Sequence, residues 1–110
     1  MSTDEHPIAA IATALAPAAL AAIRLSGEGT IELLASRFSR PGVLRRAAGH
    51  TLHHGVIRNA DGDPVDEVLV GIYRRPASYT GEESAEIFCH GSPAGVRRVY
   101  AALLSVGFAP

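Results

Sequence analysis

Residues Thr51 to Tyr73 read TLHHGVIRNADGDPVDEVLVGIY, and this stretch decides the fold class. Thr51–Arg58 and Asp66–Tyr73 are rich in β-branched and large apolar residues, as strands are. Between them, Asn59-Ala-Asp-Gly-Asp-Pro64 is dense in turn-forming residues. Two strand-like runs around a turn predict an antiparallel hairpin.

Upstream of the hairpin, Ile8–Thr13 and Ala21–Ser26 read as two further strands. In the second, Ile23 and Leu25 share one face, while Ala22, Arg24 and Ser26 share the other. Between the two, Ala14–Leu20 reads both ways, because alanine favours helix and Pro17 interrupts it. Gly27 ends the second strand. A helix is expected over Glu28–Phe38, since Ile31, Leu34, Ala35 and Phe38 recur at helical spacing. Pro41-Gly42 is read as its stop. Downstream, Arg74–Gly81 is a loop and Glu83–Cys89 a fifth strand, with Ala85, Ile87 and Cys89 opposite Glu86 and Phe88. Ser92 and Pro93 open a helix that runs to Ser105, with Gly107 as its C-terminal cap. The expected class is α+β: a mixed sheet of about five strands with two to three helices, in one domain spanning residues 1–110.

Composition narrows the function. The chain has 110 residues, enough for a single core. Its formal net charge is -1, without the basic excess of a nucleic-acid-binding surface. All ten basic residues are arginine, so a lysine Schiff base is excluded, and so is a phosphate loop of the form GxxxxGK[ST]. The single cysteine, Cys89, allows no internal disulfide and suits a reducing compartment. The apolar run from Ile8 is interrupted by Pro17 and Arg24, which argues against a membrane span. A cytoplasmic protein is expected.

Several residues carry possible chemistry. Arg24 stands in an apolar strand; it either faces solvent or holds a carboxylate through its guanidinium fork. Glu86 likewise either lies on a solvated strand face or accepts paired N–H donors, such as those of an aminopyrimidinone ring. Tyr79-Thr-Gly-Glu-Glu83 is either a polar turn or a pocket-lining loop. His90-Gly-Ser-Pro93 meets a helix start, where backbone N–H groups can receive an anion. His50, His53 and His54 invite a metal reading, but adjacent strand residues point to opposite faces and no second ligand cluster accompanies them. Cys89 is read as a small buried residue, the alternative being a nucleophile whose thiol the neighbouring His90 activates. Residues and periodicity alone stop at a mixed α/β domain.

Three segments resemble a known family. Ile8-Ala-Ala-Ile-Ala-Thr13 followed by Ala22-Ile-Arg-Leu-Ser-Gly27 is similar to the opening strands of the MnmE/TrmE tRNA-modification GTPases of bacteria. Asp63-Pro-Val-Asp-Glu-Val-Leu-Val70 resembles their hairpin return. Pro76-Ala-Ser-Tyr-Thr-Gly-Glu-Glu83, with Glu86 and His90-Gly91, resembles their most specific stretch. The resemblance implies an aminomethyltransferase-like domain that forms a homodimer and holds a formyl or methylene tetrahydrofolate. Residue by residue, it implies a folate or substrate role for Arg24 and Glu86, and a pocket-lining role for Tyr79, Thr80 and Gly81. No catalytic or metal-binding residue is implied.

In that family the assembly acts with a flavin-dependent partner of the MnmG/GidA type. It helps install carboxymethylaminomethyl on the wobble uridine of tRNA. The resemblance places the helical and GTPase domains, with their GTP, magnesium and potassium ions, outside this chain. The chain alone is therefore expected to have no GTPase activity. Two segments depart from the family: a Pro/Gly/Arg-rich loop is replaced by Ala14-Leu-Ala-Pro-Ala-Ala19, and, more mildly, a His-Gly-Gly run by His90-Gly-Ser92. The first departure supports an alternative, a dimerisation module with a degenerate folate pocket. A self-contained aminomethyltransferase-like enzyme would need more than 110 residues.

Overall fold

The computed structural model describes residues 6–11, 20–74 and 82–110. Five strands are seen: β1 (Ile8–Ile11), β2 (Leu20–Ser26), β3 (Thr51–Arg58), β4 (Pro64–Tyr73) and β5 (Ser84–His90). Three helices accompany them: α1 (Thr30–Ala35), α2 (Pro41–Arg46) and α3 (Pro93–Val106). The strands form one sheet in the order β1-β2-β5-β4-β3, and every named pair is antiparallel. Parallel pairing is confined to an isolated bridge between Ile8 and Ala109, which ties the two ends of the described chain together. The α+β class holds, with five strands and three helices among the described residues.

The hairpin forms as read from the sequence. β3 has the expected bounds, and β4 begins two residues early, at Pro64. Proline tolerates that place because it is the first residue of the strand. The turn is knotted by Asn59, whose side-chain oxygen accepts from the Asp61 and Asp63 N–H groups at 2.9 and 3.0 Å. Gly62 there takes a φ of 86°, which other residues rarely adopt.

The helix expected over Glu28–Phe38 is the main correction. Only Thr30–Ala35 is α-helical, and a second helix, α2, starts at Pro41. The proline read as a stop is the first residue of a helix, where its missing N–H costs nothing. Residues 37–39 instead lie against β3: Arg58 N–H donates to the Arg37 carbonyl at 2.7 Å and Ser39 N–H to the Val56 carbonyl at 2.9 Å. The apolar set still does what its spacing requires, since Ile31, Leu34, Ala35 and Phe38 are all buried.

The helices cover one face of the sheet. Ile23 and Leu25 of β2, Val70 and Ile72 of β4, and Ile87 of β5 are fully buried against Leu34, Val99 and Leu103. Phe38 reaches this layer because Gly55 has no side chain; a Cβ there would sit 2.3 Å from the Phe38 Cζ. α3 is capped as expected. Ser92 Oγ accepts from the Gly95 N–H at 3.0 Å, and Gly107 closes the helix with a φ of 129°.

Candidate functional site

The opposite sheet face carries no helix among the described residues, and its rows follow from strand register. Ala10, Arg24, Glu86, Gly71 and Leu52 stand side by side across all five strands. Ile8, Ser26, Ser84 and Tyr73 form the next row. Ala22, Phe88, Leu69 and His54 form the row on the other side. The sheet alternation predicted for β2 therefore places Arg24 and Ser26 together on this open face.

Arg24 and Glu86 are directly opposite one another, and Arg24 Nε donates to Glu86 Oε2 at 2.8 Å. The two residues that the sequence singled out separately are thus one ion pair. It is asymmetric: the Glu86 side chain is 9% exposed and that of Arg24 62% exposed. Arg24 lies largely in solvent, so its contribution to stability is small. The buried carboxylate is the distinctive partner. A carboxylate accepts through about four lone-pair sites on two oxygens, and the Arg24 Nε bond uses one on Oε2, leaving Oε1 and a second site on Oε2 as acceptors for ligand donors.

Beside the pair is a small cavity of about 30 Å³, lined by Arg24, Leu25, Ser26, Tyr73, Ser84, Ala85 and Glu86. Tyr79, Thr80 and Gly81 lie outside the described residues. The segment just after them is pinned in place. Ser26 Oγ donates to Glu82 Oε2 at 3.0 Å, and the Gly27 N–H donates to the Glu83 carbonyl at 3.0 Å. The Glu83 carboxylate then accepts from the Ile31 N–H at 2.7 Å, capping α1 from a distant part of the chain. Sequence reasoning missed Ser26, Tyr73 and Ser84 as cavity residues, and Glu82 and Glu83 as anchors. No local motif announces a cap supplied from 52 residues away.

The other candidates find ordinary partners. His53 Nε2 lies 2.8 Å from Thr51 Oγ1, and His54 Nε2 lies 3.5 Å from Glu67 Oε1. No group of three or more His, Cys, Asp or Glu side chains among the described residues is placed to hold a metal ion. His90 Nδ1 is 2.7 Å from Asp66 Oδ1, and its backbone N–H donates to Asp66 Oδ2. Cys89 is buried, and burial together with the nearby Asp66 charge pushes its thiol pKa up to about 11. A thiol so rarely ionised is a poor nucleophile at neutral pH. No helix among the described residues is long and apolar enough to cross a membrane.

Comparison with known proteins bears on the whole chain. Residues 7–110 match the family model described as "GTP-binding protein TrmE N-terminus". The chain is 50% identical over 103 residues to the tRNA modification GTPase MnmE of Treponema denticola, covering 93% of this chain and 22% of that protein. It is 52% identical over 105 residues to the protein of the same name from Treponema pallidum, covering 94% of this chain and 21% of the relative. It is 41% identical over 106 residues to that of Thermus thermophilus, covering 96% and 24%. The chain spans about a fifth to a quarter of the length of these curated relatives.

Proposed function

Because the chain belongs to the TrmE N-terminal family, we propose that it is the tetrahydrofolate-binding, dimer-forming part of a bacterial tRNA-modification GTPase. The observation that carries the folate reading is the buried Glu86 carboxylate, held by Arg24 at 2.8 Å and open at its second oxygen. An aminopyrimidinone ring presents adjacent N–H donors, and a carboxylate in a poorly solvated place is their natural acceptor. The bound folate supplies a one-carbon unit. Glu86 orients the ring, and Arg24 holds Glu86 in place. In this reading the chain binds formyl or methylene tetrahydrofolate without turning it over.

The dimer reading draws on the open face. Its apolar residues Ile8, Leu20, Leu52 and Leu69 are 50%, 61%, 61% and 43% exposed, the large exposed hydrophobics of the described chain. Leu52 and Leu69 stand on the neighbouring strands β3 and β4, and adjacent apolar exposure of this kind supports an interaction surface there. The wobble-uridine chemistry on tRNA, the flavin-dependent partner, and GTP with its ions belong to the assembly around this domain. Such a role places the protein in the cytoplasm. The runner-up is a dimerisation module with a degenerate pocket, which the Ala14-Leu-Ala-Pro-Ala-Ala19 sequence favours.

Calorimetry with 5-formyltetrahydrofolate tests the first reading. A charge-assisted hydrogen bond contributes about 1.5–3 kcal/mol, so Glu86→Gln should weaken binding by roughly one to two decades. Equal affinity of both proteins removes Glu86 from the site. No heat with the unmodified chain at millimolar folate selects the dimerisation-only reading.

A further inference from the structure

Ser84 stands two residues before Glu86 on the same strand face, and its side chain lines the same cavity. The residue is only 5% exposed, and its Oγ finds no hydrogen-bond partner. A hydroxyl withdrawn from water and left unpaired is costly, and native structures keep few of them. Nearby hydroxyls are occupied otherwise: Ser26 bonds Glu82 and Thr30 bonds the Gly27 carbonyl. The unsatisfied group thus sits where the described face has both a cavity and a carboxylate with a free oxygen.

We propose that Ser84 is a ligand-binding residue, whose hydroxyl donates to the ring carbonyl next to the N–H groups that Glu86 accepts. This rests on the folate reading of the same cavity. The edge of an aminopyrimidinone carries amino, N–H and carbonyl in succession: donor, donor, acceptor. Glu86 offers acceptors, and Ser84 adds the donor that completes the match. The space beside Ser84 is about 30 Å³, room for one polar heteroatom or one water molecule and no more. Ser84 then discriminates by hydrogen bonding. A ring lacking the carbonyl leaves the hydroxyl unpaired, which is how polar sites reject close analogues.

The test is calorimetry with 5-formyltetrahydrofolate on the unmodified chain, Ser84→Ala and Ser84→Thr, with thermal melting of each without ligand. Ser84→Ala is expected to bind five- to tenfold more weakly, as befits one neutral hydrogen bond. Its melting temperature should be unchanged or higher, because an unpaired hydroxyl is removed. Ser84→Thr, which keeps the hydroxyl, should recover most of the affinity. Full affinity in Ser84→Ala overturns the proposal alone and assigns the cavity to a water. A marked fall in its melting temperature also overturns it, since the hydroxyl would then serve the fold. Absence of folate binding by the unmodified chain overturns the underlying reading and this inference with it.

Discussion

Glu86 and Cys89 lie three residues apart on one strand and meet opposite fates, which strand alternation decides. Glu86 points to the open face, where Arg24 meets it at 2.8 Å. Cys89 points into the helical layer and is 1% exposed. Burial and the Asp66 carboxylate favour the neutral thiol, raising its pKa from 9.0 to about 11. Thiol reagents at pH 8 are therefore expected to label Cys89 slowly in the native protein and fast in urea; equal rates would show an open β5. The sign of the pH effect follows. The folded state holds the thiol proton more tightly than the unfolded chain, so Cys89 contributes stability below about pH 9. That stability is lost as pH rises toward 11, and Cys89→Ala should flatten this part of the urea-stability profile. A profile as steep in the variant as in the parent would assign the slope to other groups.

At the scale of elements, the join between α1 and β3 shows how packing overrides periodicity. The spacing of Ile31, Leu34, Ala35 and Phe38 suits one continuous helix. The chain leaves the helix after Ala35 because residues 37–39 find partners on β3, including the Phe38–Ile57 bridge. Phe38 then lies over Gly55, and that contact has no slack: a Cβ would come within 2.3 Å of the ring. Gly55→Ala is expected to destabilise by about 1–3 kcal/mol, the usual cost of overpacking. Pairing it with Phe38→Leu should recover part of the loss in urea unfolding. A Gly55→Ala protein as stable as the parent would mean that the ring moves freely aside. Gly27 is constrained in the same manner, with a φ of 127° and Pro7 Cα 2.8 Å from the place of a Cβ. That glycine holds the end of β2 close to the segment before β1.

The whole molecule is a two-layer structure in which one sheet face is packed by helices and the other bears an apolar set around a central ion pair. Antiparallel sheets tolerate a solvated face when it is polar. Here Leu20, Leu52 and Leu69 interrupt that rule. If the open face joins two copies, Leu52→Asp should shift light scattering from twice the chain mass to the chain mass. The far-ultraviolet circular dichroism should stay unchanged, because Leu52 is 61% exposed within one chain. A Leu52→Asp protein that stays dimeric would move the interface to another surface. A folded parent that is monomeric at all concentrations would remove the dimer for this chain.

Local pattern was enough for the class and for nearly every strand. Alternation and turn chemistry are local, so Thr51–Arg58, the Asn59–Asp63 turn, the Ser92 cap and the two faces of β2 were all legible. It also singled out Arg24 and Glu86, each as a charge in an apolar strand. That these two form one pair is settled by the folded sheet, because their registry depends on β2 and β5 meeting although 62 positions separate them in sequence. The same holds for the Glu83 cap on α1, the break of the Glu28–Phe38 helix and the unpaired hydroxyl of Ser84. Each depends on groups far apart in sequence arriving at one place, and local pattern carries no record of that. The Ala14–Ala19 and Tyr79–Gly81 segments lie outside the described residues, so their reading rests on sequence alone. The physical reason for the division is range: propensity and periodicity act over a few residues, while burial and pairing are settled by the packed sheet.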